Sequence, residues 1–267
     1  MVSKVLRAAS APVRLLLLGA FVWLGTACVQ AEEGPVIAAA ADLNFALTEV
    51  AQRFRDVTGH TVKLTFGSSG NFFTQITNGA PFQLFLSADE AYVQKLAERG
   101  LMRDGGALYA VGRVVVYAPN GSPLKVDGAL AGVAAALGDG QISHFAIANP
   151  EHAPYGRAAR EALEAAGLWS KIRPFLVLGE NATQAMQFAT SGSAQGGIVP
   201  LSLVLASQVE GHGTWALLPE SSHAPLRQRM ALLKDADEVA TAFYDFMQTT
   251  PAREIMQRHG FILPVSN

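Results

Sequence analysis

From Val36 onward the chain alternates short apolar runs with longer segments whose apolar residues recur every three to four positions. Residues 36–40 read as a buried strand. Residues 43–55 carry Leu43, Ala46, Leu47, Val50, Ala51 and Phe54 at helical spacing, which predicts a helix that Gly59 ends as a C-cap glycine. The same reading predicts strands at 61–66 and 82–86, and a short helix at 72–77 stopped at Gly79. Ser87-Ala88-Asp89-Glu90 has the form of a capping box opening a helix that runs to Glu98. A strongly β-branched strand is expected at 111–118, with further strands at 145–148 and 197–199. Helices are expected at 156–166, 182–190, 238–247 and 251–259. Strands alternating with helices predict an α/β protein whose mostly parallel sheets are joined by helical crossovers.

The first residues follow a different pattern. Lys4, Arg7 and Arg14 precede an apolar run from Leu15 to Leu24, and small residues follow. A basic start, a short apolar middle and a small-residue end make a secretory signal peptide over 1–31. The run is shorter than the roughly 20 residues a spanning helix needs. Cleavage after Ala31 places the protein outside the cytoplasm, in a periplasm or another extracytoplasmic space. It also removes Cys28, the single cysteine, leaving no thiol for a disulfide or thiolate metal site. The alternative is a lipid anchor on Cys28, which Gly25-Thr26-Ala27 fits poorly. About 235 residues then remain, enough for two lobes of ordinary domain size. The formal net charge of −2 offers no nucleic-acid surface and no polybasic membrane patch.

Four strand-to-helix turns share one character: Ala40-Ala41-Asp42, Gly67-Ser68-Ser69-Gly70-Asn71, Pro154-Tyr155-Gly156 and Glu180-Asn181-Ala182. Each places small or hydroxyl residues where a helix begins. A helix start leaves amides without intrahelical partners and carries partial positive charge, so it can hold an anion. In open α/β sheets ligands sit beyond the carboxyl ends of the strands, where these turns lie. Taken singly, Asp42, Ser69 and Asn181 read equally well as ordinary N-caps. The Gly-Ser-Ser-Gly turn lets backbone approach a ligand closely, but it lacks the ending of a phosphate loop.

Ala39-Ala40-Ala41-Asp42-Leu43, Gly67-Ser68-Ser69-Gly70, Gly79-Ala80-Pro81, Phe85-Leu86-Ser87-Ala88-Asp89, Asn149 to Gly156, Gly197-Ile198-Val199 and Phe261 after His259-Gly260 occur in this order. Together, over about Val36 to Leu263, they resemble the periplasmic molybdate-binding proteins of ABC importers. The resemblance implies a type II periplasmic-binding-protein fold, with two α/β lobes joined by two crossing strands and closing on the ligand. Lobe one would comprise 34–112 plus 222–267, and lobe two 113–221. It implies molybdate or tungstate as ligand, no cofactor, no catalytic residue and no free metal cation, the molybdenum being bound as an oxyanion. The partners implied are an ABC permease with its ATPase, and the protein is expected to be a monomer. Residue by residue, the site falls on Asp42, Ser69, Tyr155 and Ala182, with Ala41, Ser68 and Asn181 in the same turns. Two positions depart from the family pattern: Asp42 stands where members often have serine, and Pro200 where some donate a tyrosine hydroxyl. The Tyr155 hydroxyl is a candidate to compensate.

A fully deprotonated tetrahedral dianion offers only acceptors, so its pocket should be all donors. Backbone amides and hydroxyls meet that need without a buried cation, and Arg157 reads as a helix-surface charge. Asp42 is the awkward residue, because a carboxylate repels a dianion. Either its side chain caps its own helix while its amide faces the ligand, or it accepts the proton of an oxyanion such as hydrogen phosphate or arsenate. Other binders remain open: sulfate, phosphate and arsenate all fit a donor pocket. A secreted hydrolase is the competing class, but the six histidines lack metal spacing and no Gly-x-Ser-x-Gly elbow is present. His152 reads as a loop histidine that holds its turn by hydrogen bonds.

Overall fold

A computed structural model describes residues 34–264. The signal peptide over 1–31 and Cys28 lie outside the described residues. Two five-stranded sheets organise the fold. The first has strands β1 (Val36–Ala40), β2 (Lys63–Gly67), β3 (Leu84–Ser87), β4 (Ala107–Gly112) and β10 (Leu226–Leu232), in the order β2-β1-β3-β10-β4. The second has β5 (Val114–Pro119), β6 (Phe145–Ala148), β7 (Leu176–Gly179), β8 (Gly196–Pro200) and β9 (Gly213–Leu217), in the order β7-β6-β8-β5-β9. In each sheet one strand, β10 or β5, runs against its neighbours, and the rest are parallel. Helices α1 (Asn44–Thr58), α2 (Ser69–Thr77), α3 (Glu90–Glu98), α9 (Glu238–Phe246) and α10 (Thr250–Arg258) accompany the first sheet. Helices α4 (Ala131–Gly138), α5 (Pro154–Ala165), α6 (Trp169–Ile172), α7 (Ala182–Thr190) and α8 (Leu201–Val204) accompany the second.

Local sequence explains most of these elements. β1 and β6 are apolar throughout and nearly fully buried, as strands covered by helices on both faces must be. α1 buries Ala46, Leu47, Val50 and Phe54 along one stripe, and the Phe54 ring meets Phe243 and Phe246 of α9 edge-on at 5.1 and 5.5 Å. Gly59 ends α1 with φ +77.

Three expectations need correction. The β-branched run at 111–118 is not one strand: Gly112 ends β4 in the first sheet and Val114 begins β5 in the second. Arg113 is thus the first crossing between the sheets, and the segment from β9 to β10 is the second. Pairing with two different sheets broke a run whose composition is uniformly strand-like. The cap of α3 is Asp89, whose carboxylate accepts from the Ala91 amide at 3.0 Å, while Ser87 remains the last residue of β3. The sequence pattern also gives no sign of α4, α6, α8, β7, β9 and β10. β9 and β10 mix exposed and buried positions, with tryptophan and arginines at exposed ones.

Candidate functional site

The four turns singled out in the sequence converge. Ala40 ends β1 and Ala41 and Asp42 follow it, Gly67 to Ser69 end β2 and open α2, Ala153 to Tyr155 open α5, and Ala182 opens α7. All of them line one small cavity, together with Ala88. No lysine or arginine is among its lining residues. Of the sequence candidates, Ala41, Asp42, Ser68, Ser69, Tyr155 and Ala182 are brought together. Asn181 is not part of the lining: its side chain caps α7, accepting from the Gln184 amide at 3.1 Å.

Each wall of the cavity is held by specific bonds. Ser68, not Ser69, is the N-cap of α2, accepting from the Asn71 amide at 3.3 Å. Ser69 is fully buried, and its Oγ accepts the Ala88 N–H at 3.0 Å, which leaves its own O–H to donate elsewhere. The amides of Ser69, Tyr155 and Ala182 fall in the first turns of α2, α5 and α7, where N–H groups lack intrahelical partners. The carbonyls of the first turn point away from this role. Ala41 O accepts from the Thr183 hydroxyl at 3.0 Å and Asp42 O from the Ser202 hydroxyl at 2.7 Å.

Both hydroxyls come from the helices of the second sheet, so the cavity is stitched across the two sheets. Further stitches are Gly70 N–H to His152 O at 3.0 Å, Ser68 Oγ to His152 Nδ1 at 3.0 Å, and Asn71 Nδ2 to Glu180 Oε2 at 3.3 Å. His152 therefore does hold its turn by hydrogen bonds. Arg157 is no free surface charge: its Nη1 pairs with Asp89 Oδ2 at 2.7 Å, again across the sheets. Thr183 and Ser202 were missed in the sequence, although both are hydroxyls in the first turn after a strand, the same signal that marked Ser69. Pro200 ends β8 and caps α8 two residues before Ser202.

Asp42 does not cap a helix. It lies inside a single 3-10 turn, Ala41–Leu43, whose N-cap is Ala40. Its side chain turns inward and is 1% exposed. Oδ2 accepts from Gln228 Nε2 at 2.7 Å, and Oδ1 has no hydrogen-bond partner. The same Gln228 amide reaches the Tyr155 hydroxyl at 3.2 Å, and Tyr109 donates to Gln228 Oε1 at 2.8 Å. Burial pushes the Asp42 carboxyl up to about 6, although Gln228 and the Tyr155 hydroxyl facing it pull it down. Burial likewise raises the Tyr155 and Tyr109 hydroxyls well above their ordinary value, so both stay protonated donors. Gln228 carried no signal as a ligand residue, but it occupies an inward position of β10 between buried Leu226 and Met230. A polar side chain there must find a partner inside.

Comparison with known proteins bears on this geometry. The family model for bacterial extracellular solute-binding proteins matches residues 35–262. The chain is 39% identical over 238 residues to the molybdate-binding protein of Rhodobacter capsulatus, covering 88% of this chain and 90% of that one. The periplasmic molybdate-binding protein of Azotobacter vinelandii superposes with a TM-score of 0.77 at 30% identity, over 86% of this chain and 99% of that one. A sulfate-binding protein of Mycobacterium tuberculosis, 16% identical with a TM-score of 0.71 over 87% of this chain and 88% of that one, shares the fold alone. The two lobes seen here are thus those of a type II periplasmic binding protein, and the chain belongs to the bacterial extracellular solute-binding protein family as a relative of the molybdate-binding proteins.

Proposed function

We propose that the protein captures molybdate, and tungstate with it, in the cavity between its two lobes and delivers the anion to an ABC permease and its ATPase. Binding is without catalysis, by a monomer exported beyond the cytoplasmic membrane. The lobes would comprise 34–112 with 222–267, and 113–221, moving about the crossings at Arg113 and between β9 and β10. The observation that carries this reading is the convergence of four strand-to-helix turns on one small cavity lined without lysine or arginine. The Ser69 hydroxyl and the amides of Ser69, Tyr155 and Ala182 supply donors aimed at oxygens, with Ala41 and Ser68 shaping the same wall. Charge-assisted bonds of this kind contribute roughly 1.5–3 kcal/mol each. The relatives named for molybdate support the same ligand.

The test is a thermal-shift panel with molybdate, tungstate, sulfate, phosphate and arsenate. A ligand at ~1,000 times its dissociation constant adds about 4 kcal/mol, which for a protein of this size raises Tm by on the order of 10 °C. Molybdate and tungstate should both do so. A rise with sulfate, phosphate or arsenate but with neither molybdate nor tungstate would overturn the reading.

A further inference from the structure

Asp42 is the one group in the cavity wall that does not suit a dianion in its charged form, and its surroundings indicate how the conflict is resolved. Its carboxyl is buried, one oxygen is held by Gln228, and the other has no hydrogen bond of good geometry, with the Tyr155 hydroxyl and the residue's own N–H also drawing on the carboxyl. The groups facing it are neutral: Gln228 from β10, the Tyr155 hydroxyl from α5, Tyr109 from β4 beyond Gln228, and the Ser202 hydroxyl of α8 on its carbonyl. No cation is bonded to it among the described residues. A carboxylate placed so is poorly compensated, and a doubly charged anion entering beside it makes the charged form costlier still. A neutral carboxylic acid reverses the situation. Its acidic proton on Oδ1 gives the orphaned oxygen a role and makes it a donor, as a serine hydroxyl would be at that position.

We propose that Asp42 holds the captured oxyanion as a neutral carboxylic acid, its Oδ1 proton donated to an anion oxygen, so that capture of a fully deprotonated dianion takes up one proton from solvent. The balance is simple: carboxylate, proton and dianion combine into carboxylic acid hydrogen-bonded to dianion, with no other bond made or broken. The inference rests on the oxyanion reading above and adds to it a condition on charge. Affinity then depends on pH: above the range in which free Asp42 is protonated, each further pH unit weakens binding close to tenfold.

Calorimetric titration with micromolar molybdate at pH 7.5, in two buffers of different ionisation heat, counts the protons directly. The expected uptake is close to one per anion in the wild type, with Kd rising nearly tenfold per unit between pH 7 and 8.5. Asp42→Asn should show no uptake and a flat profile. His152, bonded to Ser68, is a second ionisable side chain beside the cavity, so His152→Gln should keep the uptake. Molybdate binding by the wild type without proton uptake overturns the inference and leaves the oxyanion reading standing. Uptake that disappears in His152→Gln also overturns it, and this arm decides the matter even if Asp42→Asn fails to fold. If neither molybdate nor tungstate gives a binding isotherm at any pH, the oxyanion reading itself falls and takes the inference with it.

Discussion

The two lobes are built on one plan and meet the cavity in opposite ways. Both sheets place a reversed strand second from one edge, and both send strand-to-helix turns into the same space. Lobe one contributes buried side chains with polar atoms: Asp42, Ser68 and Ser69 are 1%, 4% and 0% exposed. Lobe two contributes Ala153, Pro154, Tyr155 and Ala182, whose side chains are mostly apolar, so its backbone amides are what it can offer. Two separate jobs follow. Lobe one sets the chemistry of the wall, including its one charge problem, and lobe two sets its shape and closeness.

The largest effect should come from two glycines that test closeness in different places. A Cβ on Gly70 of lobe one would stand 2.6 Å from His152 O of lobe two. A Cβ on Gly156 would stand 2.2 Å from Ala148 O inside lobe two itself. Both distances are shorter than carbon and oxygen tolerate. The Gly70 Cβ would also stand 2.8 Å from the Tyr92 hydroxyl of lobe one, the far end of a half-buried side chain that can swing aside, whereas the backbone clash with His152 exists only while the lobes are together. Gly70→Ala is therefore expected to weaken molybdate binding by roughly 100-fold or more, because the bound form becomes less populated, while the melting of the ligand-free protein moves little. Gly156→Ala should instead cost stability, about 1–3 kcal/mol as overpacking does. Denaturant melts beside ligand titrations separate the two. Equal losses of stability in both variants would break the distinction between a contact across the lobes and one within a lobe.

A smaller effect tests the charge problem confined to lobe one. The folded Asp42 carboxyl holds its proton up to about 6, against an ordinary value of 3.8. Below pH ~4 the group is protonated folded and unfolded alike and costs nothing. As pH rises from ~4 through ~6 the unfolded chain releases the proton first, so folding loses stability. Above that window the cost is full, about 3 kcal/mol at most. Glu49 and Asp127 are lowered by their partners and run the other way, so the comparison must be between variant and wild type. Asp42→Asn should gain on wild type between pH 4.5 and 7.5 in chemical denaturation. An unchanged difference at the two pH values would mean that Asp42 is solvated, and lobe one would then carry no charge problem.

How far the site could be read in the sequence follows the same division between local and distant causes. Ser68, Ser69 and Ala182 sit at helix starts, which small and hydroxyl residues announce locally, and the alternation of strands and helices carried the fold class. From the sequence Asp42 reads as a helix cap or as the acceptor of an oxyanion's proton, and the structure gives it no cap. Its cap position looks ordinary along the chain, and only Gln228, 186 positions away, draws the carboxylate inward. Thr183 and Ser202 bond to Ala41 and Asp42 across 142 and 160 positions, distances at which periodicity is silent. Arg113 illustrates the same limit in the fold, since a β-branched run gives no hint that its two halves pair in different sheets.

The smallest effect concerns a contact between the lobes far enough out to meet solvent. Arg157, at the start of α5, reaches Asp89 at the start of α3, and its side chain is 39% exposed. An ion pair that wet is worth at most about 1 kcal/mol, and it exists only when the lobes are together. Asp89 keeps its capping bond to the Ala91 amide without it. Arg157→Ala is thus expected to weaken anion binding about two- to fivefold at low salt, through the bound population alone, with no change in the melting of the ligand-free protein. Added salt should shrink the difference between variant and wild type, because screening removes most of a partly exposed pair. Titrations at low and high ionic strength check both parts. A loss that persists undiminished in high salt would place Arg157 among the groups that hold the anion, and lobe two would then contribute a charge as well as a shape.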